Sequence, residues 1–161
     1  MFFTSRRASK GSAMSLLFES SYYAFAFYTA LNALILLILG MLVTRARVRT
    51  QTDIGDGGKP EMAGPLRAHA NNSEWTPLAL LLMWVLTGMG FTNFGLSAPI
   101  WVVHGMGFSL TIGRILHGIG ITRSIGPSPL RFAGMVLTWV AYVIGIVATF
   151  WLIFTAGPAA S

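Results

Sequence analysis

Four long apolar stretches alternate with short polar ones along the chain. The first runs from Tyr22 to Val43 and is interrupted only by Thr29, Asn32 and Gly40. As a helix of about 20 residues it would cross a hydrocarbon core of ~30 Å. Tyr22, Tyr23, Phe25, Phe27 and Tyr28 crowd one end, as interfacial belts do, and Arg45, Arg47 and Arg49 close the other. A polar loop follows from Thr50 to Pro65. Within it Gly55-Asp56-Gly57-Gly58 is turn chemistry, because glycine reaches positive φ without steric cost. Pro65 suits the first turn of a helix, where its missing N–H is not needed.

The second stretch is polar at its start (Arg67, His69, Asn71, Asn72, Glu74) and lipid-grade from Trp75 onward. An uncharged connection from Thr92 to Pro99 makes the second and third stretches antiparallel neighbours. The third contains Gly105, Gly107, Gly113, Gly118 and Gly120, small residues that let helix backbones approach closely in lipid. Gly126-Pro127-Ser128-Pro129 separates it from the fourth. The pattern predicts helices at about 20–47, 65–91, 100–121 and 130–154. The expected fold is all-α: an integral membrane four-helix bundle. The two-residue alternation of a transmembrane barrel is missing.

Composition agrees. Charged residues make up 10% of the chain and mean hydropathy is +0.66, against about 25% charge in a typical soluble domain. Lys and Arg number 11 against 5 Asp and Glu. These basic residues sit between apolar blocks, which fits membrane topology rather than nucleic-acid binding. The chain has no cysteine, which excludes disulfides, thiolate metal sites and a cysteine nucleophile. Residues 14–161 read as a single four-span domain. The first and third loops carry Arg45, Arg47, Arg49, Lys59, Arg67, Arg123 and Arg131, while the second loop and the tail carry no Lys or Arg. The positive-inside rule therefore places loops one and three in the cytoplasm. Arg6, Arg7 and Lys10, in the basic extension 1–13, run against that assignment. Either translation starts at Met14, or a minority charge cluster is tolerated there.

Ionisable side chains at bilayer depth are costly and usually functional. Glu74 lies roughly 13 Å beyond Pro65, and Arg114 roughly 10 Å before Ile121. On antiparallel helices the two are expected to meet, which would offset much of their desolvation. Arg67, Asn71 and Glu74 step by four and three along one helix face. Arg114, His117 and Ile121 step by three and four along another. Arg123 and Arg131 lie just above. Together these residues suggest an anion pocket, with guanidinium groups to grip carboxylates. A buried pair that only fixes helix register is the plainer alternative.

At these residues the sequence resembles a known family. Arg67-Ala68-His69-Ala70-Asn71-Asn72-Ser73-Glu74-Trp75-Thr76-Pro77 is similar to the helix-two signature of the MAPEG family (membrane-associated proteins in eicosanoid and glutathione metabolism). Gly113-Arg114-Ile115-Leu116-His117 is similar to the family's helix-three signature, and Gly55-Asp56-Gly57-Gly58 to a loop of bacterial members. The resemblance covers about residues 15 to 155. It implies a homotrimer in a bacterial inner membrane, with glutathione as co-substrate between subunits near the cytoplasmic side. Arg67, Asn71 and Glu74 would contact glutathione or its supporting shell, and Arg114 and His117 would line the same pocket. Arg131 best matches the arginine that activates the thiol, with Arg123 as the alternative. Arg47 is a counterpart of the family's helix-one arginine, with Arg45 and Arg49 nearby. The implied activity is a glutathione-dependent transferase or peroxidase acting on lipophilic small molecules dissolved in the membrane lipid. Some members carry a tyrosine one turn beyond the His117 position, or an arginine before the motif asparagine. Here these are Ile121 and Ala70, so prostaglandin and leukotriene activities are not implied.

Other readings remain open. A non-catalytic scaffold, or a small-anion or lipid-binding protein, fits the same fold. A transporter would be expected to show internal repeats or broken spans. A haem site would need histidines from two helices, and His104 and His117 lie about 20 Å apart on one.

Overall fold

The computed structural model describes residues 11–88, 97–124 and 126–155. Among them it is all-helical, with α1 at Gly11–Glu19, α2 at Ser21–Thr50, α3 at Pro60–Leu86, α4 at Ile100–Arg123 and α5 at Pro129–Thr155. Arg6, Arg7 and Lys10 of the basic extension lie outside the described residues, as does the expected end of the second helix near Phe91. The short helix α1 was not anticipated. It packs on α2 and reaches α4 through His104, whose Nε2 faces the Leu17 carbonyl at 3.1 Å. A carbonyl can only accept, so Nε2 carries the proton, and Nδ1 accepts from the Tyr28 hydroxyl at 3.1 Å. Both ring nitrogens of His104 are therefore committed to protein groups.

Helix ends follow local chemistry. Gln51 adopts a left-handed conformation (φ 52) just past α2, and the Thr52 N–H donates to the Arg47 carbonyl at 3.1 Å, a helix-closing turn. The loop then turns on Gly55, Gly57 and Gly58, all at positive φ. Asp56 Oδ1 accepts from the Gly58 N–H at 3.0 Å. Helix α3 starts at Pro60 rather than Pro65, so the loop is shorter than expected and Pro65 stands inside the helix. Gly88, at φ 75, follows its other end.

Four spans were expected, and among the described residues two helices, α2 and α5, are long and apolar enough to cross a membrane by length and composition. Helices α3 and α4 have 27 and 24 residues, about 40 and 36 Å of helix. Polar side chains such as Asn72, Glu74, Arg114 and His117 lower their apolar density. Helix α4 packs against α2, α3 and α5. The outward surface is strongly apolar, with Leu37 60%, Phe108 63% and Phe132 70% exposed. Contiguous apolar surface on this scale marks an apolar environment rather than water.

The tightest packing joins α4 to α5. A Cβ on Gly113 would sit 2.9 Å from the Gly134 carbonyl oxygen and 3.0 Å from the Thr138 nitrogen. A Cβ on Gly134 would run into the His117 nitrogen and lie 2.6 Å from the Gly113 oxygen. These neighbours are backbone, which cannot swing aside. Gly134→Ala should therefore force the helices apart, at a cost of about 1–3 kcal/mol. Thermal unfolding in detergent should show a clearly lower midpoint than wild type. An unchanged midpoint would mean that this close approach is not needed for stability.

Candidate functional site

Arg114 projects from the middle of α4 and is 1% exposed, the largest fully buried side chain among the described residues. Its guanidinium is held by neutral acceptors on the two flanking helices. Nη1 donates to Asn71 Oδ1 on α3 at 3.0 Å. Nε and Nη2 donate to Thr138 Oγ1 on α5, at 3.1 and 2.6 Å. Nη2 also approaches Met135 Sδ at 3.7 Å, a weak acceptor. Thr138 can serve twice because its own hydrogen goes to the Gly134 carbonyl at 2.8 Å, which frees its lone pairs. Of the five guanidinium N–H groups, one on Nη1 is left without a partner among the described residues.

The expected Arg114–Glu74 pair does not form. Glu74 Oε1 instead pairs with Arg67 Nη1 at 3.3 Å, and the two side chains are 50% and 59% exposed. The reason is the earlier start of α3. Counted from Pro60, Glu74 lies about 21 Å along the helix and Asn71 about 16 Å. Arg114 lies about 14 Å before the end of α4, so Asn71 is the residue at its level. The Arg67–Asn71–Glu74 stripe is real, but it divides. Asn71 reaches inward, while Arg67 and Glu74 bridge two helical turns along the outer face. Asn72, next in sequence, faces the interior and accepts from Thr76 Oγ1 at 3.3 Å.

His117 is buried (3% exposed) one turn beyond Arg114, and its backbone abuts Gly134 of α5. Of the predicted residues, Asn71 and Arg114 are joined by a hydrogen bond, and His117 packs against the helix that carries Arg131. Arg131 stands half-buried in the first turn of α5, where its N–H donates to Ser128 Oγ at 3.3 Å. It is brought close to α4 by Gly120, where a Cβ would lie 2.6 Å from the Arg131 nitrogen. A cleft of about 330 Å³ opens beside it, lined by Pro127, Ser128, Phe132, Met135 and Trp139. Arg123, at the end of α4, is exposed. Arg47 holds the first loop, its Nη1 donating to the carbonyls of Thr52 and Gly55 at 3.3 and 3.2 Å. Ile121 packs with Leu39 and Ala68 in a small core between α2, α3 and α4.

Two site residues were missed from sequence. Thr138 is the main support of Arg114. Tyr142, one turn on, donates from its hydroxyl to the Trp75 carbonyl at 2.7 Å and ties α5 to α3. Their signal was present: Arg131, Met135, Thr138 and Tyr142 step by four, three and four, one face of a helix.

Together these features define a class: a helical membrane protein that keeps a buried arginine and a histidine where three of its helices meet. A family model describing the MAPEG family matches residues 25–151. The chain is 32% identical over 126 residues to the inner membrane protein YecN of Escherichia coli K12, covering 78% of this chain and 89% of that protein. YecN of Escherichia coli O6:H1 matches to the same extent. No solved structure matches. The chain belongs to the MAPEG family, and like its relatives it is a membrane protein.

Removing the Thr138 hydroxyl while keeping its shape isolates its role. Thr138→Val should destabilise the protein by about 1–3 kcal/mol, because a buried charged donor loses its acceptor. Chemical denaturation of the detergent-solubilised protein would measure this. Equal stability would show that Arg114 finds another partner.

Proposed function

We propose that the protein is a membrane-bound, glutathione-dependent transferase or peroxidase acting on lipophilic electrophiles. The observation that carries this reading is the buried guanidinium of Arg114, which faces only neutral acceptors and keeps an N–H unused. An uncompensated buried charge is unfavourable, and an anion supplied by a ligand would balance it. Arg131, at the start of α5, adds a second positive charge on a helix that packs against α4, which would favour a ligand with more than one carboxylate. Glutathione has two carboxylates and a thiol.

In this reading the four long helices all span the membrane as a bundle, with loops one and three in the cytoplasm, and three copies assemble. The Arg67–Glu74 pair supports assembly. Charges on an outer helix face at that depth would be costly against lipid, and an adjoining subunit would cover them. Glutathione would then lie between subunits, with Arg47 or a neighbouring arginine of the first loop contributing.

A free thiol ionises near pH 8.5, so only a few per cent is thiolate at neutral pH. Arg131, at the mouth of the cleft, would stabilise the thiolate by charge and by donating a hydrogen bond. Its alternative, Arg123, is exposed at the end of α4. The sulfur lone pair would form the new bond to the electrophilic carbon while the leaving group departs with its electron pair. With a hydroperoxide, sulfur would attack the terminal oxygen, the O–O bond would break, and the alkoxide would take up a proton. A second glutathione would then convert the sulfenic acid to the disulfide and release water. The apolar cleft beside Arg131 would admit such substrates from the lipid.

Calorimetry with the purified protein tests this. Wild type should bind glutathione at or below millimolar concentration. Arg114→Gln should weaken binding at least about tenfold, the loss of a charged hydrogen bond of roughly 1.5–3 kcal/mol. Arg131→Ala should abolish the thiolate absorbance of the bound tripeptide. If folded wild type binds no glutathione at millimolar concentration, a scaffold or a receptor for another anion replaces this reading.

A further inference from the structure

The opposite face of the protein, between α2 and α4, carries a second arginine-capped feature. At the loop-one end a small cleft of about 210 Å³ is lined by Leu42, Arg45, Ala46, Arg49, Pro65 and Thr122. Below it a groove of about 240 Å³ runs between α2 and α4, lined by Ile35, Ile38, Leu42, Ile115, Gly118 and Ile119. Both are bounded by Leu42 and Thr122, so polar mouth and apolar groove are continuous. Gly118 keeps the floor low, since a Cβ there would already touch Leu39 at 3.4 Å. Arg114 contributes to the inner wall, with its guanidinium committed to Asn71 and Thr138.

The two arginines at the mouth are uncommitted. Arg45 and Arg49 are exposed and one helical turn apart, on one face of α2. Neither makes a hydrogen bond or ion pair among the described residues, whereas Arg47 between them holds the loop. From Arg45 to Ile35 the groove follows α2 for about 15 Å, the depth of one leaflet in a hydrocarbon core of ~30 Å.

We propose that this face binds one anionic phospholipid, with its phosphate on Arg45 and Arg49 and an acyl chain between α2 and α4. Two free cations set directly above a leaflet-deep apolar groove match a molecule with both parts. A free phosphate would use the mouth and leave the groove unexplained. A second copy of the chain is a poor match in charge, since it brings 5 acidic residues against 11 basic ones. The proposal does not rest on the glutathione reading, although Arg114 borders the groove and an arginine of the first loop enters both.

Native mass spectrometry of the detergent-released protein tests the proposal, with phosphatidylglycerol and phosphatidylcholine of identical acyl chains as probes. Wild type should retain phosphatidylglycerol in clear preference. Each arginine near an anionic headgroup is worth about a fivefold effect, so Arg45→Gln/Arg49→Gln should cut that retention more than about tenfold and leave phosphatidylcholine unchanged. Ile38→Trp, at an exposed groove position, should reduce retention of both lipids, and inorganic phosphate should not displace the bound phosphatidylglycerol. Equal retention of the two lipids by wild type, or unchanged retention by the double variant, would overturn the proposal. So would displacement by phosphate, which would show a mouth-only anion site. The chain has no cysteine, so Ile38→Cys gives a clean control: efficient disulfide linkage between copies would show that a second copy covers the groove and would equally overturn it.

Discussion

The structure depends on how a guanidinium can be kept inside a bundle of apolar helices. Arg114 sits where charge is most costly, and no carboxylate pairs with it among the described residues. Its solution is geometric: Asn71 offers an amide oxygen from one side and Thr138 a hydroxyl from the other, spread over the planar fork. Neutral acceptors hold the group in place without neutralising it. A carboxylate partner would have ended its electrostatic influence on its surroundings. With Asn71 and Thr138 the group keeps its net charge.

That arrangement requires α4 and α5 to lie closer than side chains normally permit. Gly113, Gly120 and Gly134 remove the side chains that would separate them, and Thr138 is thereby brought within reach of Arg114. The same contact sets Arg131 beside the end of α4. Glycine packing and arginine support are thus one device. The backbone approach positions the hydroxyl, and the hydroxyl positions the charge.

Much of this was legible in the sequence. The apolar periods gave the long helices, and the Arg67–Asn71 and Arg114–His117 spacings gave the stripes that carry the family resemblance. The partner of Arg114 was not legible, for two reasons. Pro65 and Pro60 are both acceptable first-turn residues, and choosing Pro65 displaced the depth scale of α3 by more than one turn, enough to exchange Glu74 for Asn71. Thr138 was hidden by its chemistry: a threonine in an apolar helix usually bonds its own backbone, as this one also does. Only the four-three-four step from Arg131 marked it, and that step shows its meaning once the helices are packed. Helix α1 was missed because a basic segment precedes it and its length is far below a span.

On the proposed four-span reading, the way Arg114 is held also constrains how the chain can enter a bilayer. Alone in lipid, a helix with an arginine near its centre costs about 2.5–3.5 kcal/mol to insert, even by the lenient biological scale. Its acceptors come from α3, made earlier in synthesis, and from α5, made later. Helix α4 therefore gains its full complement of hydrogen bonds only after α5 has left the ribosome. Insertion of this half of the molecule is best served by a hairpin of α4 and α5 partitioning together, its glycine seam already closed and its charge already sheltered.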